Sequence, residues 1–265
     1  NCINKYLKKK IFVRANQKVI ICCGAIGTAK LLMNSKIQNK NIGKKFSCHL
    51  SGAVDSLFEN KKNIELLSDE VEINTNDEKF EKFASQKVPS EVILSRLPIK
   101  KDNSFFNDKN FTSSWVYNVS SSSSGSLSRG LFGYKLKFDI NNDEFQKVKD
   151  FIILISNFLF NLGAQKVFPN IINKKIDGSS LENLQKIIDE INPEDLLLTA
   201  SHLFGTCCFG NNSENGVINE NFKVFNYDNL FVVDSSIFPF PTESNPQLTI
   251  MIFAKAASQI ILNDQ

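Results

Sequence analysis

Net charge of one sign is nearly absent from this chain of 265 residues, in which 31 basic side chains stand against 28 acidic ones and leave +3 at neutral pH. The lysines are scattered rather than striped, and only Arg14, Arg96 and Arg129 are arginine, which argues against a nucleic-acid partner or an anionic membrane footprint. No apolar run approaches the roughly 20 residues of a membrane helix. The longest, Phe151 to Leu162, is interrupted by Ser156 and Asn157, so a buried helix is expected there and no transmembrane segment. Nor does a charged, apolar and small-residue series of the leader type open the chain. Six cysteines, with Cys22 beside Cys23 and Cys207 beside Cys208, lack the framework of a small secreted protein, so free thiols are expected. These absences favour a soluble, cytoplasmic protein. Paired CxxC or HxxxH spacings are missing too, and no metal site is expected. Absence of GxSxG removes the strained elbow of a serine hydrolase.

What is present is an ordinary globular composition, 42% hydrophobic and 22% charged, in a chain long enough for a sizeable core. Residues Lys10 to Cys23 hold two short β-branched runs around a polar turn at Ala15 to Lys18, which predicts a hairpin feeding a buried strand. Gly24 ends that strand, and Ala29, Leu32 and Met33 then recur at helical spacing, giving strand, glycine turn and helix. Residues 49–110 are polar and Lys/Glu-rich with short alternating stretches, and predict an irregular sheet with long loops. The serine run Ser120 to Ser124 lies between two strand-like segments and reads as a loop between paired strands, with a linker as the alternative. From Asn142 the apolar positions Phe145, Val148, Phe151, Ile152, Ile155, Phe158 and Leu159 predict a core helix ended by Gly163. A shorter helix is predicted from Ser180 to Ile191, and no internal repeat is found.

Three constellations carry chemistry. Around His202, one of only two histidines, stand Gly205, Thr206, Cys207 and Cys208, and imidazole is the usual general base near neutral pH, although a lone histidine also serves as a core residue. The strand Asn229 to Val233 ends in Asp234 and Ser235, where ligands of open α/β sheets sit; a capped strand end is the equal alternative. Asn245, Pro246 and Gln247 open an apolar helix in which Asn245 suits the cap and Pro246 the first turn, while the free helix end also suits an anion.

In this order and spacing, the chain resembles the glucose-methanol-choline (GMC) family of oxidoreductases. The family's closing pattern is a histidine with a Gly-Thr turn, a strand of the form NLxVVDxSxxP, and NPQxT opening a helix. Here these stand as His202 with Gly205-Thr206, Asn229 to Pro239, and Asn245 to Thr249. Gly24 to Ser35 is similar to a second family signature, Ile42-Gly43 to His49 to the segment after it, and Asp139 to Pro169 to the substrate-domain helix. Ala29 stands where the family has proline, and the GxGxxG unit that opens such enzymes is not in this sequence.

The resemblance implies an α/β fold combined with α+β: an incomplete FAD-binding domain over 1–47 and 199–265, lacking its N-terminal Rossmann-type unit, and a substrate domain over 48–198 on an antiparallel sheet with flanking helices. It implies FAD as cofactor, a small-molecule alcohol as substrate, and the N-terminal half of such an enzyme as a further partner. His202 would take the hydroxyl proton while hydride leaves for the flavin, with Asn245 as the second catalytic position. Gly24, Ala25, Asp234, Ser235, Pro246 and Gln247 would border the cofactor. An inactive remnant that binds no flavin alone is the rival reading.

Overall fold

The computed structural model describes residues 13–59, 112–172, 174–242 and 245–264, with four short strands elsewhere, Cys2–Asn4 (β1), Lys9–Ile11 (β2), Glu72–Ile73 (β5) and Phe83–Ala84 (β6). The stretch VILSRLPI, expected to alternate, lies outside the described residues.

The 15-residue strand Lys44–Phe58 (β4) organises the sheet. Along one edge it pairs antiparallel with Thr112–Ser120 (β7), in register from His49 opposite Ser120 to Leu57 opposite Thr112, and then with Gly125–Gly130 (β8). Along the other edge it pairs with Ala164–Pro169 (β10) and Leu203–Thr206 (β11). Neighbouring strand residues point to opposite faces. One face of β4 therefore carries Phe46, Cys48, Leu50, Val54 and Phe58, and the other Ser47, His49, Ser51 and Asp55, all buried. Of the irregular sheet and long loops expected over 49–110, the described residues up to Phe58 continue β4 as one strand, with register shifts in its pairings to β8, β10 and β11. Its alternation is not polar outside and apolar inside, because both faces are covered.

The apolar face packs on the helix Asn142–Asn161 (α2), whose Val148, Phe151, Ile152, Ile155 and Leu159 are buried. Trp115 meets Phe158 edge-on at 5.0 Å between centroids, and Tyr117 stacks on Phe151 at 6.4 Å. Tyr117 crosses Gly52, where a Cβ would stand 2.9 Å from its ring Cε1 and closer still to its hydroxyl end. Asn141 caps α2 by accepting from the Glu144 N–H at 2.9 Å, and Gly163 ends the helical stretch at φ +92°. The buried Glu144 carboxylate in turn accepts from the Ser121 and Ser122 hydroxyls and from the Ser123 N–H and hydroxyl. The serine run is therefore a loop fastened to α2 rather than a linker. It does not join two strands that pair with each other, since β7 and β8 pair successive stretches of β4, while β8 forms a hairpin with Gly133–Lys137 (β9). A third helix, Leu181–Asp189 (α3), is capped by Ser180 and buries Leu184 and Ile188.

A second apolar cluster joins the helix Gly24–Asn34 (α1), Val19–Ile21 (β3), Leu230–Val232 (β12) and Gln247–Asn263 (α4) around Leu32, Phe204, Phe231 and Ile237. The expected hairpin at Lys10 to Cys23 does not form. β2 pairs with β1, and β3 pairs in parallel with β12, more than 200 residues away in the chain, from Val19 opposite Leu230 to Ile21 opposite Val232. Val19 and Ile20 remain exposed, as do Leu248, Met251 and Ile252 on α4. Among the described residues, no helix is long and apolar enough to cross a membrane. The architecture is thus mixed α/β, with an antiparallel sheet and flanking helices.

Candidate active site

His202 immediately precedes β11, which a tight, left-handed turn ends. Gly205 has φ +75° and Thr206 φ +80°. A Cβ on Gly205 would stand 2.7 Å from the Lys45 carbonyl carbon and nearer to its oxygen, so glycine is required there on two counts. A β-branched residue at positive φ is costly. Thr206 is held there by its hydroxyl donating to the Ala25 carbonyl at 2.6 Å and by its carbonyl accepting from Gly43 N–H at 2.7 Å. The same turn shifts the β11–β4 register between Phe204 and Thr206, and so sets how His202 meets β4.

The His202 carbonyl accepts from the His49 N–H at 3.1 Å, and the two rings meet edge-on with Nδ1 to Nδ1 at 3.0 Å. On its far side His49 Nε2 lies 2.6 Å from the Thr242 carbonyl oxygen, which also accepts from the Ser120 hydroxyl at 3.0 Å. Burial, and secondarily the neighbouring His49 ring, hold the His202 imidazole below its ordinary pKa, so it is neutral at pH 7 and can accept a proton. His49, Ser120 and Thr242 were not singled out in the sequence as site residues. A usable signal was present: the alternation of Phe46, Cys48 and Leu50 with Ser47, His49 and Ser51 marks one polar strand face.

The residues expected to border a cofactor meet at the start of α1. Asp234 Oδ2 accepts from the Gly24 N–H at 3.0 Å and the Thr28 hydroxyl at 2.5 Å, while Oδ1 accepts from Ser236 N–H at 2.8 Å. The carboxylate thus joins the first turn of α1 to the short turn Ser235–Ile237, and the capping alternative, in which Asp234 satisfies the turn that follows it, accounts for the Ser236 bond but not for the two from α1. Ala25 is tied to Thr206 as described, which brings the Gly24, Asp234 and Gly205 segments together. Ser235 is half-buried beside them. At the third constellation α4 begins at Gln247, one residue later than expected: Pro246 occupies the cap position, its carbonyl accepting from the Ile250 N–H at 2.8 Å. Asn245 is therefore not the helix cap. Asn245 and Gln247 are exposed and Pro246 is buried, three to five residues beyond the Thr242 carbonyl that receives His49.

Family models place the chain on this geometry. The C-terminal model described as GMC oxidoreductase matches residues 120–254, more than half of the chain, and the N-terminal GMC oxidoreductase model matches residues 2–51. The chain belongs to the GMC oxidoreductase family. An uncharacterized GMC-type oxidoreductase of Mycobacterium tuberculosis (strain ATCC 25618 / H37Rv) is 31% identical over 123 residues, covering 46% of this chain and 19% of that protein. The cholesterol oxidase of Acinetobacter baumannii is 39% identical over 94 residues, covering 36% of this chain and 16% of its own length. Among solved structures, an FAD-dependent oxidoreductase from Chaetomium thermophilum matches 94% of this chain and 55% of its own at TM-score 0.55 and 14% identity, a likeness of fold. The GMC chain described here thus spans about half the length of that solved relative, and its matched segments about a fifth of the curated ones.

Proposed function

We propose that the chain forms the C-terminal part of an FAD-dependent oxidoreductase that oxidises an alcohol to an aldehyde or ketone, with His202 as the base. The observation that carries this is the half-buried imidazole of His202, whose Nδ1 lies 3.0 Å from His49 Nδ1, with His49 Nε2 in turn 2.6 Å from the Thr242 carbonyl oxygen. A neutral imidazole takes a hydroxyl proton near pH 7, and Asn245 supplies a group that orients the hydroxyl without competing for that proton. The first turn of α4, with its unpaired N–H groups, favours negative charge on whatever lies before Gln247.

Residues at the start of α1 fit a cofactor. Gly24 has φ +74° and nothing within 4 Å of where its Cβ would be, so backbone there is open to close approach. Gly24, Ala25 and Ser235 would border the cofactor on this side, with Asp234 fixing their positions and Pro246 and Gln247 lying toward the flavin ring. When bound, FAD supplies the hydride acceptor. The two apolar clusters follow the assignment of 1–47 and 199–265 to cofactor binding and 48–198 to substrate binding at most positions, with Phe46 in the first cluster and Leu127 in the second crossing it.

The test is a visible absorption titration of the chain with FAD, alone and with a family N-terminal segment carrying GxGxxG, followed by a panel of alcohols. Retained oxidised-flavin bands that bleach with an alcohol support the proposal. Failure to retain flavin in both settings would favour an inactive remnant.

A further inference from the structure

We propose that the tip of the β8–β9 hairpin, Leu131 and Phe132, is a docking point for an anionic membrane surface. This is independent of the flavin and of His202. Leu131 is 98% and Phe132 103% exposed, so folding removes none of their surface from water and their apolar character adds nothing to the stability of the fold. They fill the two central positions of the turn that joins β8 to β9, between Gly130 and Gly133, which stand opposite each other in the register. Such turns ordinarily hold glycine, asparagine or aspartate. A Cβ on Gly133 would meet nothing within 4 Å, and every residue from Ser128 to Gly133 is exposed, so no described part of the chain covers the tip.

Charge behind the tip is of one sign. Between Gly125 and Phe138 the chain carries Arg129, Lys135 and Lys137 and no acidic residue, and all three are exposed. Cross-strand partners share a face. Arg129, opposite Tyr134, therefore lies on one face of the hairpin, and Lys135 and Lys137, opposite Ser128 and Ser126, on the other. An apolar tip with cations behind it on both faces matches the boundary of an anionic leaflet, where acyl chains take the tip and head groups the cations. Lysine is scattered along the sequence as a whole, so this is a local concentration and not a basic stripe. The hairpin is also held in place. The Tyr134 hydroxyl donates to Asn34 Oδ1, with the Lys30 carbonyl oxygen 3.3 Å away, and Lys30 Nζ lies 5.1 Å from the ring centre, which ties β9 to α1. A fixed tip loses little freedom on docking. A protein partner fits less well, because an aromatic side chain buries about 150–250 Å² and a leucine less, while a stable protein interface takes about 800 Å² from each side.

Co-flotation of the 265-residue chain with lipid vesicles tests this. On phosphatidylcholine vesicles containing about 30% phosphatidylserine the chain binds at low ionic strength, and binding weakens as salt is raised. On phosphatidylcholine alone it is much weaker. Phe132→Ser lowers the partition coefficient by about 10-fold or more, and Lys135→Gln combined with Lys137→Gln does so by about 10-fold or more at low salt. These changes touch only exposed residues, and an unchanged far-UV circular dichroism spectrum verifies the fold. In Phe132→Trp, indole emission shifts to the blue on anionic vesicles and is quenched by brominated lipid, above the constant signal of the buried Trp115. The exposed face of α4 is the control, and Met251→Ser leaves binding unchanged. The inference is overturned by failure to bind anionic vesicles, by equal binding to phosphatidylcholine alone, or by Met251→Ser weakening binding as much as Phe132→Ser does. A dimer that Phe132→Ser dissociates, with no vesicle binding, would overturn it too and assign the tip to a second copy of the chain.

Discussion

Gly24 and Gly205 share one backbone conformation and differ in what surrounds them, so alanine at each separates two costs. Their φ angles are +74° and +75°. An alanine in this left-handed region loses about 1–2 kcal/mol at either site. At Gly24 nothing lies within 4 Å of the added Cβ, so that is the whole expected cost. At Gly205 the Cβ meets the Lys45 carbonyl and stands 3.3 Å from Phe46 Cα, and backbone cannot rotate aside as a side chain does. Overpacking adds about 1–3 kcal/mol, for a total of about 2–5 kcal/mol. Urea unfolding of the two variants is the assay. With a slope of about 3 kcal/mol/M, the Gly205→Ala midpoint lies about 0.3–1 M below that of Gly24→Ala. Equal midpoints would refute the reasoning, because they would mean that β11 moves off β4 without cost and that the turn does not set the position of His202.

Burial alone would raise the Glu144 carboxyl, but hydrogen bonds from Ser123, Ser121 and Ser122 outweigh it and hold the group below the usual carboxylate range. Its stabilisation is therefore complete above the unfolded value of about 4.3 and is lost as pH falls toward the folded value. Glu144→Gln should cost about 1–3 kcal/mol at pH 7, and the difference in urea midpoint should shrink below about pH 4. Thiol labelling with mass detection should modify the exposed Cys22 and Cys23 in the folded chain. Cys207, pushed up to about 12 by burial, and Cys48 and Cys208, pushed up to about 11, should react only on unfolding. In the flavin-loaded enzyme, kcat/KM for an alcohol should rise with pH and level off at an inflection below the ordinary histidine value of about 6.5, since burial and His49 both favour the neutral ring of His202.

The helices were the most legible part of the sequence. α2 announces itself through apolar positions three and four apart from Asn142, its cap being the residue before, Asn141, and α3 through Ser180, which does cap it. Such signals are local. β4 was not recognised as one strand because its second face is polar yet buried, and no pattern in the letters says what covers a strand. The parallel pairing of β3 with β12 is set by the fold around it, which local turn residues cannot report. In the site, His202 and Asp234 stood out through motifs in which small residues mark forced backbone geometry. His49 did not, since its use depends on a partner 153 residues distant and on the β4–β11 register. Asn245 looked like a helix cap because Asn-Pro usually opens a helix, yet the helix starts after the proline.

The central claim is that His202 accepts the substrate proton, and rapid-mixing measurement of flavin reduction by an alcohol tests it most directly. Reduction in the His202→Ala variant of the flavin-loaded enzyme is predicted to be slower by about 100-fold or more, with the oxidised flavin spectrum unchanged. Reduction within about threefold of the unaltered enzyme would contradict the account, because general-base catalysis is worth at least about 100-fold.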